Sequence, residues 1–161
     1  MKILSIDVGI RNFAMSMYCT EAKEFILFSI KDFVKMKDCV ATMREFTRSE
    51  PFINADVILV ERQMRSMMRT MATCIRAFYF DKTKMIRPLC VKNFYKTSMK
   101  KHSKNKKAAL ELARTMLNPK NLAQMEAFRK KDDIADCVVQ TFYYINKFQP
   151  TRVQESIRVV K

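Results

Sequence analysis

Apolar and polar positions keep different periods in different stretches of this chain, and the periods predict its elements. Lys2 to Gly9 is apolar on both faces through Ile3, Leu4, Ile6 and Val8, as a strand in the middle of a sheet would be. Arg11 to Tyr18 alternates, with Phe13, Met15 and Met17 on one face and Ala14, Ser16 and Tyr18 on the other. That predicts a second strand, paired with the first as a hairpin through Gly9. Glu24 to Ile30 reads as a third strand of the same meander. From Lys35 to Ser49 the period lengthens. Met36, Val40, Met43 and Phe46 recur every three or four positions, predicting a helix that Pro51 stops. Asp56 to Val60 is a short continuous apolar run, a buried strand parallel to the first, and it leaves through Glu61-Arg62-Gln63.

Met64 to Phe80 is predicted as a second helix whose stripe Met67, Met71, Cys74 and Phe78 fills core. Lys84 to Val91 reads as a fifth strand, and Lys92 to Lys107 as a polar, lysine-dense stretch. Ala108 to Leu117 is a short helix ended by Asn118-Pro119, and a last helix runs from near Arg129 to Lys147, with Pro150 after it. A basic tail begins at about residue 150. The order β-β-β-α-β-α-β-α-α predicts one α/β domain over residues 1–161, a mixed sheet flanked by helices.

Composition adds a partner class. The formal net charge is +15, from 31 lysines and arginines spread along the chain. Such a chain suits a polyanion, nucleic acid first. No long apolar segment or signal peptide is seen, so no membrane partner is expected. The five cysteines show no CxxC spacing and are odd in number. They read as reduced and mostly buried, hence a reducing compartment. The single histidine, His102, lies among lysines, which argues against a zinc site or a histidine-dependent hydrolase.

Carboxylates are scarce here, so their placement carries information. Asp7 lies inside an apolar strand, two residues before the only glycine, Gly9. A buried aspartate is costly unless it is hydrogen-bonded or binds a metal, and both readings are open for Asp7. Glycine allows a positive φ or a close approach of backbone. Glu61 ends the other buried strand and converges on Asp7 if the two are parallel neighbours. Asp133 and Asp136 share a face of the last helix, while Asp132 is turned away and suits the helix dipole. Four clustered carboxylates repel unless cations separate them. Oxygen ligands alone select Mg²⁺ or Mn²⁺, and two such ions can activate water against a phosphodiester. The plainer alternative makes Asp132 and Asp133 a helix start and Glu61 a strand-end charge.

At these motifs the chain resembles a known family. Ser5-Ile6-Asp7-Val8-Gly9-Ile10-Arg11-Asn12-Phe13-Ala14 resembles the opening of the RuvC-like Holliday junction resolvases of the RNase H superfamily. Leu59-Val60-Glu61-Arg62-Gln63 with Arg65 is similar to their second motif, and Asp133-Ile134-Ala135-Asp136 to their closing one. The three stand in family order across nearly the whole chain. The short length and the Met-, Lys- and Phe-rich composition resemble the poxvirus branch most, with the mitochondrial branch related.

The resemblance implies an RNase H-like sheet of five strands in the order 3-2-1-4-5, with strand 2 antiparallel. It implies a homodimeric Mg²⁺-dependent endonuclease, two ions per site, that nicks four-way and other branched DNA symmetrically. In a poxvirus the implied task is resolving concatemeric replication intermediates in the host cytoplasm. Asp7, Glu61, Asp133 and Asp136 fall on the family's catalytic, metal-binding carboxylates. A lysine near the scissile phosphate is also implied, with Lys107 the first choice, Lys101 and Lys104 its rivals, and a merely solvated phosphate-binding loop the alternative. Arg11, Arg62, Arg65, Lys101, Lys104 and Lys106 are the DNA-binding candidates. Two other classes stay open: another RNase H-superfamily nuclease, acting on RNA–DNA hybrid or other branched DNA, and a non-catalytic nucleic-acid-binding module. The second helix, with Arg65, Arg69 and Arg76 beside Met67, Met68 and Met71, is the candidate dimer contact.

Overall fold

The computed structural model describes residues 1–97 and 102–149, of which residues 102–105 are described by backbone alone. Five strands form one sheet: β1 (Lys2–Asp7), β2 (Phe13–Cys19), β3 (Glu24–Lys31), β4 (Val57–Glu61) and β5 (Thr83–Ile86). Their order is β3-β2-β1-β4-β5. β2 is antiparallel to both β1 and β3, whereas β4 runs parallel to β1 and β5 parallel to β4. This is the order and orientation that the resemblance implied.

Side chains alternate across β1 and β4 and feed two cores. Leu4, Ile6, Ile58 and Val60 pack with α1 (Cys39–Phe46), α2 (Glu50–Ile53) and α3 (Ser66–Phe78) on one face. Ile3 and Leu59 pack on the other face with α7 (Lys131–Phe148), around which lie α4 (Pro88–Phe94), α5 (His102–Met116) and α6 (Pro119–Glu126), the last also touching β3 through Asn121 and Phe25. Held between sheet and helices, α7 is buried nearly all round, from Ile134 and Ala135 to Tyr143 and Ile145. No helix among the described residues is long and apolar enough to cross a membrane.

Several predicted boundaries differ, each for a local reason. Lys84 to Val91 is not one strand: β5 stops at Ile86, and Pro88 opens α4 behind an extended Arg87. Proline fits the first turn of a helix and pushes the residue before it into extended backbone, so the apolar run Leu89-Cys90-Val91 is helical. The lysine-dense stretch is correspondingly helical at both ends, in α4 up to Phe94 and in α5 from His102. Pro51 does not stop the first helix. That helix spans Cys39–Phe46, capped by Asp38 accepting from the Ala41 amide, and Pro51 lies in the first turn of α2. α6 was not foreseen: Asn118 accepts from the Asn121 amide at 2.8 Å, so Asn118-Pro119 starts a helix as well as ending one. Along α3, Met71 and Cys74 face the core, but Met67 and Phe78 are 45% and 39% exposed. Of the cysteines, Cys74 and Cys137 are buried and the other three half-buried. The tail from residue 150 lies outside the described residues.

Candidate active site

Two strands and one helix bring the carboxylates together. β1 ends on Asp7 and β4 on Glu61, and the parallel register pairs Ile6 with Val60, so the two acids follow side by side. Alternation turns both toward α7. The first two turns of α7 supply Asp133 and Asp136 from one helix face. Among the described residues, Asp7, Asp133 and Asp136 can each offer an oxygen such that all three lie within 4.8 Å of one another. They line a cavity of about 220 Å³ shared with Glu61, Lys92, Lys106 and Gln140. Glu61 therefore faces the same space from outside that triple. Gln63 Nε2 donates to Asp7 Oδ1 at 3.4 Å.

The turn after Asp7 explains Gly9, though not through a positive φ, which no glycine here adopts. A Cβ at Gly9 would lie 2.5 Å from the Asn12 carbonyl oxygen. Close approach of backbone to backbone is the requirement.

The charges in this cavity oppose one another. Burial, then Asp136 and Asp133, push the Asp7 carboxyl well above its ordinary range, against the pull of Lys106 and Gln63. Burial, then Asp7, does the same to Glu61, with Lys92 opposing. Asp136 is raised to about 7 by burial and then by Glu61. Lys106 answers part of this charge. Its ammonium lies 2.6 Å from Asp132 and 3.1 Å from Asp133. Burial works against the lysine's charge, but the bonds to Asp132 and Asp133 outweigh it and hold its pKa above the ordinary value. The same partner holds Asp132 low in spite of that residue's own burial. Asp132 is thus an ion-pair partner as well as a residue of the helix's first turn.

A stability consequence follows. Asp136 keeps its proton in the folded chain up to about pH 7, whereas the unfolded chain loses it near 3.8. The folded state binds more protons between those values, so metal-free stability falls as pH rises from 4 to 7. Above that range the full penalty remains. Asp136→Asn is expected to stabilise the metal-free protein at pH 8 by about 2 kcal/mol after allowing for water in the open cavity, with little effect at pH 4. Thermal unfolding of both proteins in a chelator checks this.

The structure distributes the other candidates unevenly. Lys106, read as a DNA contact, is the lysine that joins the carboxylates. Lys107, read as catalytic, is exposed and bonds none of them. The helical start at His102 explains the exchange, because adjacent residues on a helix point about a quarter turn apart. Lys104 lies on the backbone of α5, and Lys101 lies outside the described residues. Arg11 is exposed in the β1–β2 turn, and Arg65 is exposed just before α3. Arg62 lines a separate groove with Arg76 and Lys84 beside β5. Lys92 and Gln140 were missed. Lys92 reaches the cavity because α4 stands where a strand was predicted. Gln140 could have been found by extending the Asp133/Asp136 stripe one turn further.

Similarity to known proteins agrees with this arrangement. Two structures of fowlpox virus proteins share the fold. One is the Holliday junction resolvase, at 20% identity and TM-score 0.67, covering 91% of this chain and 98% of that one. The other is the resolvase with substrate Holliday junction DNA, at 22% identity and TM-score 0.67, covering 91% and 97%. Thermus thermophilus RuvC in complex with Holliday junction substrate follows at 13% identity and TM-score 0.59, covering 91% and 96%. The fold is therefore the RNase H-like fold of the RuvC type. A search of the curated proteins finds no match. The family described as Poxvirus A22 protein matches residues 1–147, a span that takes in Asp7, Glu61, Asp133 and Asp136, and the chain accordingly belongs to that family.

Proposed function

We propose that this protein is an endonuclease that resolves four-way DNA junctions by paired, symmetric, metal-dependent nicks, acting as a homodimer. The observation that carries the reading is the meeting of Asp7, Asp133 and Asp136 within 4.8 Å, in a cavity shared with Glu61 and two lysines. The donors are all carboxylate oxygens, with no imidazole or thiolate among them, and this set fits Mg²⁺ or Mn²⁺. Raised carboxyl pKa values fit as well, because they mark negative charge that a cation would relieve. Asp7, Asp133 and Asp136 would hold one ion, and Glu61 with Asp7 a second. Bound there, such ions supply an activated water and stabilise the leaving oxygen of a phosphodiester.

The chain's own residues prepare the site. Gln63 orients Asp7, and the helix and two strands fix the spacing of the acids. Lys106, held by Asp132, stands at the cavity wall where it can meet a phosphate oxygen, and Lys92 does so from the side of Glu61. In this reading Lys106 takes the part assigned to Lys107 from the sequence. In a poxvirus, such an activity would resolve concatemeric replication intermediates in the host cytoplasm.

Nicking of synthetic four-way junctions, linear duplex and RNA–DNA hybrid, in Mg²⁺, Mn²⁺ and chelator, tests the reading. Paired nicks in the junction alone are expected. Equal cleavage of hybrid would point to a ribonuclease, and junction binding with no cleavage in either metal to a binding module.

Assembly gives a further prediction. One chain carries one set of acids, whereas a four-way junction has approximate two-fold symmetry and needs two nicks. A C₂ dimer supplies two sites related by the same axis as the junction. Met64, Met67 and Phe78, exposed on and beside α3, offer an apolar centre with Arg65, Arg69 and Arg76 around it. Met71 takes no part, being fully buried. Sedimentation at moderate salt should show a dimer that binds one junction. A mixed dimer with one Asp7→Asn subunit should nick one strand and fail to resolve the junction in a single encounter. Full resolution by a monomer would overturn this.

A further inference from the structure

Beneath the acidic cavity lies a second polar rung built from the same three elements. Ser5 precedes Asp7 by two residues on β1, and Leu59 precedes Glu61 by two on β4, so each sits on the same strand face one step lower. Ser5 and Leu59 are register partners. Gln140 follows Asp136 by four residues on α7, one turn along the same stripe. Its side-chain amide donates to both strands, to Ser5 Oγ at 2.8 Å and to the Leu59 carbonyl oxygen at 3.3 Å. Gln140 is 4% exposed and Ser5 fully buried.

We propose that Gln140 is a positioning residue that sets the distance between α7 and the two strands, and thereby the spacing of Asp133 and Asp136 from Asp7. The physical need is plain. Asp133 and Asp136 repel Asp7 and Glu61, and that repulsion pushes the start of α7 away from the sheet. Apolar packing holds the helix against the sheet but is not directional, whereas two hydrogen bonds from one planar amide fix both height and roll. The bonds are made where no water competes, which makes them costly to break. The apolar neighbours Val138 and Val139 cannot supply such a directional tie. Ser16, the other fully buried serine of the central strands, finds no partner for its hydroxyl among the described residues, so burial in this sheet does not by itself bring a serine a bond.

The inference rests on the metal-site reading above, and the test separates the two. Mn²⁺ binding to the DNA-free protein is followed by electron paramagnetic resonance, beside thermal unfolding in chelator, for wild type, Gln140→Leu and the double variant Ser5→Ala/Gln140→Leu. The double variant replaces both partners by apolar groups, so it should recover stability that the single variant loses. Mn²⁺ affinity should nevertheless stay tenfold or more weaker than wild type in both variants, a typical loss for a residue that orients ligands. In junction nicking, the Mn²⁺ concentration for half-maximal rate should rise by the same factor while the rate at saturating Mn²⁺ largely recovers. Wild type that binds no Mn²⁺ would overturn the metal site itself. Wild type and double variant binding Mn²⁺ equally would leave the metal site standing and overturn the role of Gln140.

Discussion

Asp7→Asn is expected to reduce junction cleavage by at least about a thousandfold while junction affinity holds or increases. Asp7 belongs to the triple and also acts on Glu61. It lies within reach of Asp133 and Asp136, and it is also the chief charge acting on Glu61. An amide at this position keeps the shape and the neighbour Gln63 but removes the negative oxygen. It lowers repulsion toward the phosphate backbone at the same time, which is why affinity should hold or increase. Single-turnover cleavage and equilibrium binding, measured on one synthetic junction in Mg²⁺, separate the two effects. Near-normal turnover would sink the assignment, and a matching loss of affinity would mean that the substitution had damaged the fold.

Lys106→Ala should slow cleavage by about a hundredfold, the scale of removing one charged group that stabilises a transition state. Its effect on binding should be smaller. Lys107→Ala should leave the cleavage rate constant near wild type and weaken binding, lowering the salt slope by about one phosphate contact. The contrast arises because adjacent residues of α5 face different surroundings. Lys106 bonds Asp132 and Asp133, whereas Lys107 points into solvent. Removing Lys106 also leaves Asp132 and Asp133 without their partner, so metal-free stability at neutral pH should fall with it. If both variants lose only affinity, in equal measure, the lysines form an electrostatic track and neither meets the reacting phosphate.

The strands and the acids were legible because each carried a signal of its own. β1 and β4 are short apolar runs ending in a carboxylate, and a charge at that position has few inexpensive explanations. Asp133 and Asp136 announced themselves by helical spacing. The segment between β5 and α5 was harder. Leu89-Cys90-Val91 is too short for its period to distinguish strand from helix, and only Pro88 argued for the helix. Misplacing α4 hid Lys92, and starting α5 at Ala108 assigned the catalytic part to Lys107, one residue from the lysine that meets the acids. Gln140 continues the stripe of Asp133 and Asp136, but its role stayed hidden because it depends on contacts with Ser5 and Leu59 far away in sequence, which no local pattern encodes.

The three clustered acids are far apart in sequence, and this has a consequence for synthesis. Asp7 is synthesised long before Asp133 and Asp136, whose helix can dock on β1 and β2 only once it has itself been made. Contacts between such distant segments form late, because the loop between them must first be ordered. A nascent or truncated chain, however much of its sheet has folded, therefore has no complete set of acids with which to cut DNA.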